Sequence, residues 1–93
     1  MTVRPSKKIE KSLKKNGFVK LATHHKRYFY KKINGGDTLI HTFISHGTKD
    51  YGDQLLSALA DQLKLNKEEL LRFIDGKMTQ AEYEKILKIK GLI

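Results

Sequence analysis

No cysteine occurs in this chain. That excludes disulfides and thiolate metal sites, and it suits a reducing compartment. Long apolar runs are also missing, and the opening "MTVRPSKKIEKSLKK" lacks the apolar segment of a signal peptide. The expectation is a cytoplasmic protein with no membrane contact. The third scarcity is acid at one end. Residues 1–32 hold eleven Lys or Arg and a single acid, Glu10, while the remainder is nearly balanced. Over the whole chain the excess is +9. A field of one sign concentrated in one third of a small domain attracts polyanions, nucleic acid first among them. The plain alternative is a lysine-rich solubilising surface.

What is present suffices for one core. Ninety-three residues with 39% apolar side chains spread along the chain make a single small domain. Ser6 is placed to cap a first helix reaching about Lys15, with Ile9 and Leu13 on its buried face and Asn16-Gly17 at its end. "GFVKLATHH" and "HKRYFYKKI" read as strands, "NGGD" at 34–37 as a hairpin turn, and "TLIHTFIS" as a third strand. Leu55, Leu56, Leu59 and Leu63 then recur at helical spacing, predicting a helix from roughly Tyr51 to Lys64. The last 28 residues carry two capping boxes, Asn66 with Glu69 and Thr79 with Glu82. Leu65 with Leu70 and Met78 with Tyr83 are the matching hydrophobic staples, and Gly76 and Gly91 mark the helix ends. Leu71, Ile74, Ile86 and Leu87 are expected to face inward. The fold class is α+β: helix, three antiparallel strands, helix over residues 1–65, plus two short helices over 66–93 packed on the same domain. A sheet with its helices on one side leaves the other side free for a partner.

The chemistry turns on four histidines, His24, His25, His41 and His46. Neighbours in a strand point to opposite faces. His24, Lys26, Tyr28 and Tyr30 therefore share a face suited to phosphate contacts and stacking, and His25, Arg27, Phe29 and Lys31 share the other. Phe29 is the natural core residue of that second set. Arg27 and Lys31 interrupt it unless they lie near an edge or snorkel outward. A metal site would need His24 or His25 to converge with His41 and His46, and no carboxylate or cysteine is spaced with them in a recognised zinc pattern. A purely structural role suits His41 best, in mid-strand. A catalytic role suits an exposed imidazole among cations, since histidine changes protonation near neutral pH. It can take the 2′-hydroxyl proton of RNA or protonate the leaving 5′-oxygen, with no metal or cofactor.

The succession "KSLKKNGF", "ATHHKRYFY", "NGGDTLIHTFISH" and "KDYGDQLLSALADQLKL" resembles the HicA toxins, small mRNA interferases with a double-stranded-RNA-binding-domain-like fold. On that resemblance Asn16-Gly17-Phe18 is the helix end, and Ala22-Thr23-His24 stands where the family has Gly-Ser-His. His24 is then the implied catalytic histidine, with His25 a second candidate. His46 corresponds to the family's histidine after the third strand, and Leu55, Leu59 and Leu63 to its last helix. The likeness covers residues 6–65. The chain departs from the family in Ala22-Thr23, in lacking a proline before His46, and in the added helices of 66–93. A HicB-like acidic antitoxin is the implied protein partner.

The leading expectation is thus a metal-independent endoribonuclease with His24 and His25 as catalytic candidates. Lys20, Lys26, Arg27, Tyr28, Tyr30, Lys32 and His46 are its expected RNA contacts. A non-catalytic RNA-binding module is the second reading. The third is a protein-interaction domain working through the two C-terminal helices.

Overall fold

The computed structural model describes residues 2–23, 26–33 and 36–93. The chain runs β1 (Arg4–Pro5), α1 (Ser6–Lys15), β2 (Phe18–Ala22), β3 (Lys26–Ile33), β4 (Gly36–Ser45) and β5 (Asp50–Tyr51). Then follow α2 (Asp53–Leu63), α3 (Lys67–Ile74) and α4 (Gln80–Ile89). An antiparallel sheet of order β2-β3-β4 is joined by a two-stranded β1-β5 pair that the sequence reading did not anticipate. The architecture is α+β, with four helices among the described residues. Ile33 pairs with Gly36 across the expected hairpin, whose residues 34 and 35 lie outside those described.

Two helix boundaries differ from expectation for local reasons. Pro5, with φ −64° and ψ 141°, is the residue flanking α1, and no side chain caps it. Ser6 is instead the first helical residue, buried, with its amide donating to Lys49 O at 2.8 Å. The strand pairing of Arg4 and Pro5 with β5 fixes the entry to α1 and takes over the task of a cap. Tyr51 belongs to that pair rather than to α2. Leu55 is 44% exposed, and Ala60 takes its expected place on the buried side of α2.

The C-terminal helices form as their local signals dictate. Both capping boxes close, with Asn66 accepting from the Glu69 amide and Thr79 from the Glu82 amide. All four staple residues are buried. Gly76 and Gly91, at φ +77° and +73°, end the two helices in the left-handed conformation. Ile74 and Leu87 are buried, and Leu71 and Ile86 pack partly buried against them.

One hydrophobic cluster joins all of these elements. Ile9 and Leu13 of α1, Phe18, Phe29, Ile40 and Ile44 of the sheet, and Leu56, Leu59 and Leu63 of α2 meet Leu70, Phe73, Tyr83 and Leu87 of the last two helices. Tyr83 sits with its ring 6.0 Å from Phe18 and 5.1 Å from Phe73. Its hydroxyl donates to Leu63 O at 2.8 Å, so the buried polar end is satisfied. Burial alone pushes the Tyr83 hydroxyl pKa well above its ordinary value. Each such side chain contributes about 1.5–3 kcal/mol on burial, so α3 and α4 are part of the core. No helix among the described residues is long and apolar enough to cross a membrane.

Candidate functional site

The helices cover one face of the sheet and leave the other open. On β3 the alternation falls as the sequence predicts: Arg27, Phe29 and Lys31 point toward the helices, and Lys26, Tyr28, Tyr30 and Lys32 point away. Each of the two inward cations meets a carboxylate. Arg27 Nη1 meets Glu10 Oε1 of α1 at 2.7 Å. Lys31 is fully buried, and its Nζ donates to Glu84 Oε2 of α4 at 2.8 Å and to Asn16 O at 2.7 Å. The Lys31 ammonium donating to Glu84, with help from Gln80, holds that carboxyl below its ordinary pKa.

Gly17 explains how Lys31 fits. Its φ is +86°, and a Cβ there would come within 2.7 Å of Lys31 Nζ. Only glycine accepts both constraints cheaply.

Lys20 is also on the covered side. It lies opposite Phe29 in the ladder, and its Nζ reaches Glu10 Oε2 at 3.3 Å. Lys20 and Arg27, two of the expected RNA contacts, thus lie on the covered side, where both meet Glu10. Burial raises the Glu10 pKa, yet hydrogen bonds from Lys14 and Lys20 and the charge of Arg27 outweigh it, so the carboxyl lies below its ordinary value.

The open face is a ladder of rings and cations. Tyr28 lies between Leu21 and Phe43, and Tyr30 lies between Val19 and His41. The Tyr28 and Phe43 ring centres are 6.0 Å apart. Lys26 Nζ stands 4.3 Å over the Phe43 ring, and Lys32 Nζ stands 5.8 Å from the Tyr30 ring centre. Leu21 and Leu39 are exposed, Leu39 at 93%. Successive outward residues on a strand are about 7 Å apart, so Tyr28 and Tyr30 offer two separate stacking positions flanked by cations.

His46 closes one end of this face. Its Nε2 lies 3.0 Å from Thr23 O. A carbonyl only accepts, so Nε2 carries the hydrogen and, in the neutral ring, Nδ1 keeps the lone pair. Thr23 is itself pinned to Lys26: its amide and hydroxyl each reach Lys26 O at 2.8 Å, and its hydroxyl accepts from the Lys26 amide at 3.2 Å. His24 and His25, which stand between Thr23 and Lys26 in the chain, lie outside the described residues.

Phe43, for which no role was expected, and His41, expected in a structural role, both belong to the open face. His41 is exposed, its Nδ1 lying 3.2 Å from Leu39 O. The alternation of "LIHTFIS" held the signal, with Ile40 and Ile44 buried and Leu39, His41 and Phe43 opposite them. Among the described residues, no group of three or more His, Asp or Glu is arranged to hold a metal ion. Compared with protein-family models, with curated proteins and with solved structures, the chain matches none of them.

Proposed function

We propose that this chain binds RNA across the open face of its sheet and cleaves it without a metal, as a HicA-like endoribonuclease. The observation that carries the reading is the stacking face of Tyr28, Tyr30 and Phe43, with Lys26 and Lys32 over its rings. Every base has a π-face, so such a ladder takes unpaired bases, and the ammonium groups take the phosphates between them. The order of α1, three strands and α2 supports a double-stranded-RNA-binding-domain-like arrangement. An acidic HicB-like protein is the regulatory partner this reading entails.

The chemistry belongs to the end of the face where His46 is held on Thr23. One imidazole removes the 2′-hydroxyl proton as that oxygen attacks phosphorus. The bond to the 5′-oxygen breaks, and a second imidazole protonates the departing oxygen. Two groups are needed, and His46 with His24 or His25 supplies them. Lys26, whose amide donates to the Thr23 hydroxyl, offsets charge developing on the phosphate.

The test is incubation of purified protein with mixed RNA in chelator, beside the alanine variants of His24, His25 and His46. Products ending in 2′,3′-cyclic phosphate are expected. Removing an acting histidine should lower the rate by about 10²–10⁴-fold while RNA affinity stays within a few-fold. Cleavage that survives in all three variants would remove the imidazole mechanism. Tight binding with no cleavage by the wild type would leave the non-catalytic RNA-binding reading in its place.

A further inference from the structure

The sequence concentrates eleven cations in residues 1–32, and the fold disposes of many of them internally. Arg4 and Lys8 are paired with Asp75, at 2.8 and 3.1 Å. Lys14, Lys20 and Arg27 share Glu10, and Lys31 holds Glu84. Three lysines of α1 stand apart. Lys7, Lys11 and Lys15 are exposed and have no acidic partner among the described residues.

Their spacing is regular. Positions four apart stack on one side of a helix, each about 6 Å further along its axis. The ridge they make lies opposite Ile9 and Leu13, the buried side of α1. A groove of about 250 Å³ flanks it, with Lys8, Lys11, Lys15, Ile74 and Asp75 among its lining residues. The carboxylate there is already neutralised by Arg4 and Lys8. The groove therefore presents Lys11 and Lys15 without a competing acid.

The ridge connects to the open face of the sheet. α1 packs on β2, an edge strand. Lys20 on that strand and Lys14 on α1 meet at the same carboxylate, Glu10. A strand leaving the open face over the β2 edge passes these two lysines before reaching Lys11.

We infer that Lys7, Lys11 and Lys15 form a second RNA contact, a phosphate-backbone track on α1 that continues the strand bound on the sheet. The inference rests on the RNA-binding reading above and adds where a longer RNA goes. The track makes no base contact, so it contributes affinity and salt dependence without sequence preference.

The test uses the full chain with 2′-O-methyl oligoribonucleotides of two lengths, a 5-mer and a 20-mer, which lack the nucleophilic hydroxyl. The triple variant Lys7→Gln/Lys11→Gln/Lys15→Gln is compared with wild type over a salt series. Wild type should bind the 20-mer at least about tenfold tighter than the 5-mer. The triple variant should lose that advantage, with the slope of log K against log salt falling by about 2, as three lost phosphate contacts on a single strand require. Its 5-mer affinity should stay within about twofold. The single variant Lys11→Gln, expected to lower the slope by about 0.7, serves if the triple variant does not fold. An unchanged slope on the 20-mer overturns the track alone. If the triple variant keeps that slope but loses affinity for polyglutamate, the ridge belongs to an acidic protein, and the proposal fails. Failure of wild type to bind either length overturns the RNA-binding reading and the track with it.

Discussion

The two faces of the sheet carry the same kinds of side chain and use them in opposite ways. On the helix side, Arg27 and Lys31 flank Phe29, and each is tied to a carboxylate, Glu10 or Glu84. On the other side, Lys26 and Lys32 flank Tyr28 and Tyr30 and lie over aromatic rings. One strand supplies both sets at a period of two residues. The lesson is that a cation's task is set by what packs opposite it. A buried ammonium needs an anion and a carbonyl to tolerate loss of water, whereas Lys26, over the Phe43 ring on the open side, stands where a ligand can reach it.

The largest effect is expected from removing an anion on the covered side. Glu84→Ala strands the Lys31 ammonium in the core and should cost about 3–5 kcal/mol, measured by denaturant unfolding. Lys31→Met keeps the stem's packing and leaves Glu84, a quarter exposed, to water, so it should cost distinctly less. If the two variants unfold alike, the charge is not what makes this position demanding.

Acid probes the same side more gently. Asp75, hydrogen-bonded by Arg4 and then by Lys8, has its pKa lowered to about 2. A depressed carboxylate stabilises the fold fully above its unfolded value near 3.8, and that contribution disappears as pH falls toward 2. The loss from Asp75 is on the order of 2 kcal/mol. Glu10 and Glu84, also shifted down, titrate in the same direction. Thermal melts should therefore fall steeply below about pH 4. Melting temperatures that stay flat from pH 5 to pH 2 would show that these pairs are not stabilising.

On the open side, Tyr30→Ala should leave unfolding nearly unchanged and weaken single-stranded RNA binding by about 1–3 kcal/mol. A variant that loses stability but no affinity would reverse the roles given to the two faces.

Much of this arrangement is legible in the residues because it is local. The boxes at Asn66 and Thr79 need only a side chain and an amide three positions away, and both close. The strands, and the sharing of faces along β3, follow from period alone. What period cannot give is a partner distant in sequence. Glu84 lies 53 positions from Lys31, so Lys31 reads as an interruption of an apolar face until α4 is seen against it. Lys20 reads as a surface cation for the same reason, while Val19 and Leu21, which look like core, are left outside. Ser6 fails as a cap because the strand pairing of Pro5 already fixes the chain there. His24 and His25 fall outside the described residues, and what is described beside them is His46, its Nε2 3.0 Å from Thr23 O.

The Lys31–Glu84 pair also sets an order of events during synthesis. The ribosome makes Lys31 fifty-three residues before the carboxylate that neutralises it. Until α4 emerges, the nascent sheet holds an ammonium it cannot bury and lacks the Tyr83 ring that stacks on Phe18. A translation product cut short before Glu84 is therefore expected to leave Lys31 without its carboxylate and the core without Leu87.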